Sequence, residues 1–389
     1  MSEDRGVMIL SFFFSPGIGG VETHLNDLCD YLRSIGRKTW VVTFQPLTSD
    51  RKGRYVERSG SITVYRLPSP VRNMFYRFQS LTWLRFMLLA PLLLAASVLV
   101  LARHRNEIGV VHAHDLNSAL ATALVSSIFG TRSVLTVHYV QDYISAASGG
   151  FFDTAARQVL SGFDSVIAVS ERVGAVIRPL LERPERMRRM TYWIDLSLFS
   201  PEDRATARKA AGFDDMFTAL FAGRLVEVKG VNVLLEACKA LSGEEMKMVF
   251  AGEGPLEEKI REAARTSNNT VYAGPLNQRE LRTYYSAADI VVVPSVYEEG
   301  FGRVAMEAIA CGTPVLGSNR GAIPEVLAPS VGLTVEPSPS LLASALRSLL
   351  HDPDRLRSMG GNCRHYAESH FSVANAKVIT DSYDEQHDS

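Results

Sequence analysis

Two glutamates and a glycine-rich turn directly follow an apolar, strand-like run in the second half of the chain. In PSVYEEGFGRVAMEAIACGTPVLGS, Glu299 precedes the GFG turn and Glu307 follows it. We expect a helix from about Arg303, with Glu299 exposed in the loop and Glu307 about one turn into the helix. The first N–H groups of a helix have no partner within it. They suit a phosphate and a sugar, while carboxylates accept hydrogen bonds from hydroxyl groups.

A purely structural explanation covers part of this pattern. The helix dipole favours an acid in the first turn of a helix, which accounts for Glu307. It does not account for the GFG turn or for Glu299. The segment is therefore the strongest indication of a ligand site in the sequence.

Two cations lie between a strand and a helix in FAGRLVEVKG, namely Arg224 and Lys229. Cations at a strand end, in front of a helix N-terminus, suit a diphosphate, although solvated surface cations give the same pattern. VFAGEGPLEE and VYAGPLN follow two further strands in the same way. Ordinary strand-to-helix turns would also explain these two segments. If the segments bind a ligand, we expect a nucleobase or ribose to contact Glu253 and the backbone of Gly274, Pro275 and Leu276.

Glycines and histidines mark the strand ends of the first half. The glycines of SPGIGGVETH allow a ligand to approach the backbone closely, although a tight turn alone would also explain them. The segment does not match the GxGxxG pattern, so no nicotinamide cofactor is implied. In VVHAHD, His112 and His114 share one face of a strand. A metal would need a third ligand, and Asp115 is expected on the opposite face. We therefore expect a ligand-facing pair, or one buried and one site histidine, with His138 of LTVHY as a sugar-contacting group.

Composition limits the class of protein. A chain of 389 residues predicts two domains, and 46% apolar residues with a net charge of −1 indicate a soluble protein without a nucleic-acid footprint. The four cysteines have no metal-ligand spacing, which favours buried thiols in a reducing compartment. The N-terminal residues lack the features of a signal peptide. The expected location is the cytoplasm, either free or peripheral at the inner face of the membrane.

Apolar runs alternate with amphipathic stretches along the whole chain. The expected strands are VMILSFFF, TWVVTF, ITVYRL, GVVHAH, SVLTVH and SVIAVS, then TALFAG, KMVFAG, VYAG, IVVVPS, PVLGS and GLTVE. Strands apolar on both faces belong to parallel sheets covered by helices, so we predict two doubly wound α/β domains. The break is expected between Ile194 and Phe217. In such sheets ligands bind beyond the carboxyl ends of the strands.

One apolar run, FMLLAPLLLAASVLVLA from Phe86 to Ala102, reaches the lower limit of a membrane span. The strand-like runs on either side belong to one sheet, so we reject a span. A buried core helix, preferred here, or a helix at a membrane interface remain. Basic residues near the run favour an anionic surface: Arg66, Arg72, Arg77, Arg85, Arg103 and Arg105.

Six segments resemble, in their order and spacing, those of the GT-B retaining glycosyltransferases of family four: GGVETH, VVHAHD, LTVH, AGRLVEVKG, GEGP and EEGFGRVAMEAIACGTPV. The resemblance covers the chain from Met8 to about Tyr383. The resemblance implies two Rossmann-like domains facing a cleft. The boundaries are residues 1–197 on the acceptor side, 198–371 for the nucleotide-sugar and a helix at 372–389 crossing back. It also implies transfer of a sugar from a nucleotide diphosphate donor with retention of anomeric configuration.

The resemblance assigns roles by position. Arg224 and Lys229 hold the diphosphate, and Glu307 holds the ribose. The catalytic set comprises His138, Glu299, Arg224 and Lys229. The donor-binding set comprises Gly19, Gly20, Arg224, Lys229, Glu253, Gly274, Pro275, Leu276, Glu299, Gly300, Phe301, Gly302, Arg303, Val304 and Glu307. No essential metal is expected, and a UDP-sugar is favoured over a GDP-sugar.

The N-terminal third is also similar to the catalytic subunit that transfers N-acetylglucosamine to phosphatidylinositol, in FFFSPGIGGVETHLNDL and RKGRYVERSGSITVYRLP. One departure is Tyr192-Trp193, where the family usually has Asn-Gly before the hinge aspartate. We therefore expect a retaining hexosyl- or N-acetylhexosaminyltransferase, with a lipid-linked or phosphoinositide-type acceptor as one option. The alternatives are a nucleotide-sugar 2-epimerase or phosphorylase of the same shape, or a non-catalytic nucleotide-sugar-binding partner.

Overall fold

The apolar runs of the sequence form the strands of two separate β-sheets in the computed structural model. The structure describes residues 5–17, 19–47, 51–69, 82–139 and 157–385. The chain divides into two units: one comprises the residues up to Tyr192 together with those from Ala374 onward, and the other is Trp193–Val373. The boundaries predicted from the sequence were 197/198 and 371/372.

The first unit has a sheet of eight strands among its described residues, in the order β3-β4-β2-β1-β5-β6-β7-β8. These are β1 (Gly6–Leu10), β2 (Thr39–Phe44), β3 (Val56–Ser59), β4 (Ile62–Leu67), β5 (Ile108–Ala113), β6 (Arg132–Val137), β7 (Ser165–Ala168) and β8 (Met187–Arg189). All neighbours pair in parallel except β3 and β4. The sequence did not predict the edge strands β3 and β8, because an edge strand needs no continuous apolar pattern.

The second unit has a six-stranded, entirely parallel sheet in the order β11-β10-β9-β12-β13-β14. Its strands are β9 (Phe217–Ala222), β10 (Met246–Ala251), β11 (Thr270–Gly274), β12 (Ile290–Val293), β13 (Val315–Ser318) and β14 (Gly332–Val335). The chain winds outward from β9 in one direction and from β12 in the other. The carboxyl ends of β9 and β12 therefore form the topological switch point, where α/β sheets bind ligands.

Helices cover the sheets and follow most strands. They are α1 (Gly20–Ser34), α2 (Thr82–Arg103), α3 (Leu116–Phe129), α4 (Glu171–Ile177), α5 (Arg204–Ala211), α6 (Val231–Ala240), α7 (Glu257–Thr266), α8 (Gln278–Ala287), α9 (Arg303–Ala310), α10 (Ile323–Val326), α11 (Pro339–Leu350), α12 (Pro353–His370) and α13 (Lys377–Asp384). Each sheet has its own apolar core. Helix α13 packs within the first unit, where Arg37 pairs with Asp384 at 2.6 Å.

Candidate active site

An ion pair joins the loops that follow β9 and β12. The ammonium Nζ of Lys229 lies 2.5 Å from Oε1 of Glu299 and donates to the hydroxyl of Tyr297 at 3.0 Å. The hydroxyls of Ser295 and Tyr297 donate to the two carboxylate oxygens of Glu299, at 2.6 and 2.9 Å. Glu299 is 9% exposed, so the expectation of an exposed carboxylate was wrong. The Lys229 charge and two hydroxyl donors make this burial tolerable.

The electrostatics of this group favour a charged pair. Burial by itself raises the pKa of Glu299, but the nearby Lys229 charge and three hydrogen bonds hold the pKa below its usual range. Burial and the Glu299 charge raise the pKa of Tyr297, while the charge of Arg224 opposes this rise. Near neutral pH, Glu299 is therefore a carboxylate and Tyr297 a neutral hydrogen-bond donor.

Close backbone contacts hold the two loops together. Gly230 has φ 76°, and a Cβ there would lie 1.9 Å from the carbonyl oxygen of Pro294. The N–H of Val296 donates to the carbonyl of Val228 at 3.0 Å. A side chain at position 230 would separate the loops and move Lys229 away from its carboxylate.

A second acidic group occupies the start of α9. Glu307 is 7% exposed and accepts hydrogen bonds from Nε of Arg303 at 2.8 Å and from the hydroxyl of Tyr285 at 3.1 Å. A carboxylate has about four acceptor positions, so capacity remains for hydroxyl donors. Gly302, with φ 81°, precedes the helix without a side-chain cap. The predicted helix start at Arg303 is confirmed.

The remaining predicted positions of the second unit lie at nearby strand ends. Arg224 and Glu253 have exposed side chains, and the carbonyl of Glu253 accepts from Leu225 N–H at 2.9 Å. Gly274 ends β11, and its carbonyl accepts from the N–H of Gly252 at 2.8 Å. Pro275 is exposed and Leu276 is half-buried. Of the GFG segment and the residues after it, three are buried and two half-buried: Gly300, Phe301 and Gly302, then Arg303 and Val304.

In the first unit, a cluster of histidines follows β5 and β6. His112 lies in β5, and its two ring nitrogens contact the hydroxyls of Tyr383 at 2.7 Å and Thr136 at 2.8 Å. The ring of His114 lies 4.0 Å from that of His112, so the prediction that both rings share a face is confirmed. Both rings are fully buried: His112 is bonded through both of its nitrogens, while His114 faces His138.

Three aromatic side chains complete the cluster around His138. Nδ1 of His114 lies 3.0 Å from Nε2 of His138, and Nδ1 of His138 contacts the Tyr192 hydroxyl. The ring of His24 stacks on Tyr192 with centroids 4.4 Å apart. Burial lowers the pKa of His138 to about 3 and lowers the pKa of His114 well below its ordinary value. These rings are neutral at physiological pH.

The other polar positions of this unit have structural partners. Asp115 caps α3 and accepts hydrogen bonds from the N–H groups of Ser118 at 2.7 Å and Phe12 at 2.9 Å. Gly19 precedes α1, and a Cβ there would lie 2.4 Å from Oε2 of Glu22. Gly20 is exposed with open space around it. A side chain at position 19 would therefore displace the Glu22 carboxylate, whereas position 20 has open space around it.

Sequence reasoning did not select several residues that contact the predicted ones. Ser295, Tyr297 and Tyr285 contact the glutamates, and Tyr192 and His24 contact the histidine cluster. Ser295 and Tyr297 stand within four positions of Glu299, so their proximity was readable. Tyr192 was noted only as a departure from a family pattern. Nothing local in the sequence connects Tyr285 with Glu307.

Two family models match the chain, one in each unit. Residues 19–193 match the glycosyl transferase 4-like domain, and residues 203–366 match glycosyl transferases group 1. A D-inositol 3-phosphate glycosyltransferase of Catenulispora acidiphila is 32% identical over 71% of this chain and 72% of its own length. The chain belongs to the group 1 glycosyltransferases of GT-B fold. It is accordingly a transferase that uses a nucleotide sugar.

Two further proteins resemble the chain over almost its whole length. A GDP-mannose-dependent monoacylated alpha-(1-6)-phosphatidylinositol monomannoside mannosyltransferase of Corynebacterium glutamicum is 26% identical, covering 96% of each chain. The Anabaena protein HepE, solved in complex with UDP, has a TM-score of 0.75 and 20% identity. It covers 97% of this chain and 99% of its own. The latter similarity concerns the fold.

Proposed function

We propose that this enzyme transfers a hexosyl or N-acetylhexosaminyl group from a UDP-sugar to a hydroxyl of a phosphoinositide-type lipid, with retention of anomeric configuration. The observation that carries the proposal is the Lys229–Glu299 pair, held by Tyr297 at the switch point of a parallel sheet. A cation, a buried carboxylate and adjacent loop backbone at that edge match the needs of a diphosphate joined to a sugar.

The proposed chemistry relies on leaving-group stabilisation. Arg224 and Lys229 neutralise the diphosphate as the bond from its oxygen to the anomeric carbon breaks. The acceptor oxygen bonds to that carbon on the same face, and its proton passes to the departing phosphate oxygen. No carboxylate acts as a nucleophile: Glu299 already accepts from Lys229, Ser295 and Tyr297, which reduces its nucleophilicity. Glu299 orients sugar hydroxyls instead, and no metal is required.

Other donor contacts follow the sequence positions. Glu307 accepts from ribose hydroxyls, with Arg303 holding its carboxylate. Gly19 and Gly20 approach the phosphate, and Glu253, the backbone of residues 274–276 and that of residues 300–304 complete donor binding. His138, a neutral ring, contacts the sugar.

The proposed nucleotide is uridine, with guanosine as the competing outcome. The Anabaena protein of similar fold is described with UDP, whereas the Corynebacterium relative is described as GDP-mannose-dependent. A thermal-shift panel of UDP, GDP, ADP and their sugars tests this point. A larger shift with GDP than with UDP contradicts the uridine assignment and leaves the transfer reaction in place.

The proposed acceptor rests on the relatives and on the N-terminal segments described above. One relative is named for an inositol phosphate and another for a phosphatidylinositol mannoside. The test is transfer of radiolabelled sugar to phosphatidylinositol, compared with free inositol phosphate and with phosphatidylcholine. Label in the inositol phosphate alone contradicts a lipid acceptor. NMR of the product linkage tests retention, because an inverted anomeric configuration excludes it.

An apolar surface in the first unit supports a peripheral membrane position. Helix α2 buries Leu89, Leu93 and Leu101 but exposes Leu88, Leu92 and Leu99, so the preferred expectation of a helix buried all round was wrong. Helix α3, which packs against α2, exposes Leu124 and Ile128. No helix among the described residues is long and apolar enough to cross a bilayer. A helix that exposes leucines on its uncovered side suits a membrane interface.

The basic residues around this surface are fewer than the sequence suggested. Arg66 is 5% exposed and pairs with Glu57 at 2.7 Å, so it is unavailable to lipids. Arg103 and Arg105 are exposed near the end of α2. Arg72 and Arg77 lie outside the described residues, as does the side chain of Arg85. Charge attraction from Arg103 and Arg105 contributes ~1 kcal/mol per residue at an anionic surface.

Co-sedimentation with anionic and neutral liposomes tests the membrane position. Leu99, 71% exposed, can be changed to Glu with little effect on folding, and Leu99→Glu is expected to reduce sedimentation with anionic liposomes. Leu341→Glu, at a leucine 48% exposed in the second unit, is the matched control. Wild-type protein that stays wholly in the supernatant at low salt contradicts membrane association.

A further inference from the structure

Three buried histidines from separate segments of the first unit converge at one point. His24 lies on α1, His114 directly follows β5, and His138 directly follows β6. A ring nitrogen from each can be chosen so that all three atoms lie within 4.8 Å of one another. The sequence disfavoured a metal because the HAH pair lacked a third ligand. The fold brings two further imidazoles, those of His24 and His138, close to His114.

The nitrogen atoms of two of these rings already face each other. Nδ1 of His114 and Nε2 of His138 are 3.0 Å apart, so one of the two carries a shared proton. A cation between them can replace this proton and meet a lone pair from each ring. The proton of His138 then resides on Nδ1, which contacts the Tyr192 hydroxyl. Ligating histidines in proteins are oriented by such a contact at the second nitrogen.

The spacing of the rings allows coordination after a small adjustment. Ligand bonds of about 2.0–2.1 Å place tetrahedral nitrogens about 3.3 Å apart, so nitrogens within 4.8 Å of one another would have to approach by up to about 1.5 Å. His112 is not available, because Thr136 and Tyr383 occupy both of its nitrogens.

We propose that His24, His114 and His138 bind one divalent transition-metal ion of the zinc type. Three neutral imidazoles with an open fourth position are a known ligand set for zinc. A set of nitrogen donors without carboxylates excludes magnesium and calcium, which require oxygen ligands. An ion bound here would occupy the ring of His138, which is the proposed sugar contact, so the metal and the sugar would compete for this ring. Its existence does not depend on that proposal.

Cobalt(II) is the spectroscopic probe for this site. Titration of the purified full chain with Co²⁺ is expected to produce visible absorption of a four-coordinate ion, saturating at one ion per chain. Zn²⁺ is expected to abolish the absorption and Mg²⁺ to leave it unchanged. His24→Ala and His114→Ala each remove a ligand and are expected to abolish the bands. Tyr192→Phe, which alters only the support of His138, is expected to weaken Co²⁺ binding about tenfold.

His104→Ala is the matched control, because His104 lies in the same unit outside the cluster and pairs with Glu107 at 3.0 Å. It is expected to bind Co²⁺ like the wild type. Equal Co²⁺ binding by folded His24→Ala and His114→Ala proteins overturns the proposal, as does the absence of any band in the wild type. X-ray absorption of the Zn²⁺-loaded wild type needs no variant. A nitrogen shell with imidazole scattering supports the site, and an all-oxygen shell overturns it.

Discussion

Removal of the Lys229 charge is expected to destabilise the second unit as well as to weaken nucleotide binding. Glu299 is 9% exposed, and its carboxylate is compensated chiefly by the ammonium at 2.5 Å. Lys229→Met preserves much of the side-chain length but leaves the buried carboxylate without its counter-charge. Loss of one partner from a buried pair costs about 3–5 kcal/mol. Because the Lys229 side chain is 22% exposed, we expect the lower value, about 3 kcal/mol.

A double-mutant cycle separates the charge effect from packing. Glu299→Gln removes the charge that Lys229→Met leaves unpaired, so the double variant is expected to recover about half of the lost free energy of unfolding or more. Urea unfolding followed by circular dichroism and by the fluorescence of buried Trp193 measures the four proteins. Lys38→Met is the matched control, because its 2.8 Å partner Glu107 is exposed and the free energy of unfolding should not change measurably.

The pH dependence provides an independent check on the same pair. The wild-type pKa of Glu299 is below its ordinary value, so the ionised group stabilises the folded state above the unfolded pKa. This stabilisation is lost as pH falls through the folded pKa. In Lys229→Met, burial raises the pKa of the same carboxyl. Protonation at mildly acidic pH therefore removes the free-energy cost of a buried, unpaired carboxylate in the variant. The stability difference between wild type and variant should shrink from pH 7 to 5.

Ligand binding completes this prediction. Folded Lys229→Met should bind nucleoside diphosphate about tenfold more weakly or worse, since a charge-assisted contact contributes ~1.5–3 kcal/mol. Calorimetric titration at a temperature where the variant is folded measures this affinity. Unchanged affinity refutes the assignment of Lys229 to the diphosphate. A stability loss under about 1 kcal/mol with no recovery in the double variant refutes the reasoning about the buried pair.

Three further outcomes are expected. Glu307→Gln should weaken calorimetric binding of free nucleotide and nucleotide-sugar alike, whereas Glu299→Gln should impair transfer while free-nucleotide binding stays near normal; the reverse pattern contradicts these roles. The four buried cysteines should resist a thiol reagent at pH 8 until the chain is unfolded, because burial raises the pKa of each thiol above its ordinary value. Tyr192→Phe should lower kcat about fivefold through lost support of His138, with unchanged nucleotide affinity; unchanged kcat contradicts this support.

The sequence by itself determined the elements and the chemistry available at their ends. Strands such as β9 and β12 are continuous apolar runs, and such runs report burial on both faces. The helix start at Arg303 was readable because the GFG turn immediately precedes it. Residues after a strand fall at one edge of a parallel sheet, so Lys229 and Glu299 could be assigned to a common edge before any contact was known.

Only the tertiary structure decided which of these groups touch. The 2.5 Å pair of Lys229 with Glu299 joins residues seventy positions apart, and it turned an expected exposed carboxylate into a buried one. The histidine cluster joins α1 to the ends of β5 and β6, and local sequence patterns contain no information on such distant neighbours. The apolar run of α2 likewise predicted a helix but did not predict which side of the helix is exposed. That side depends on which neighbouring elements cover it, because burial is a property of packing and not of periodicity.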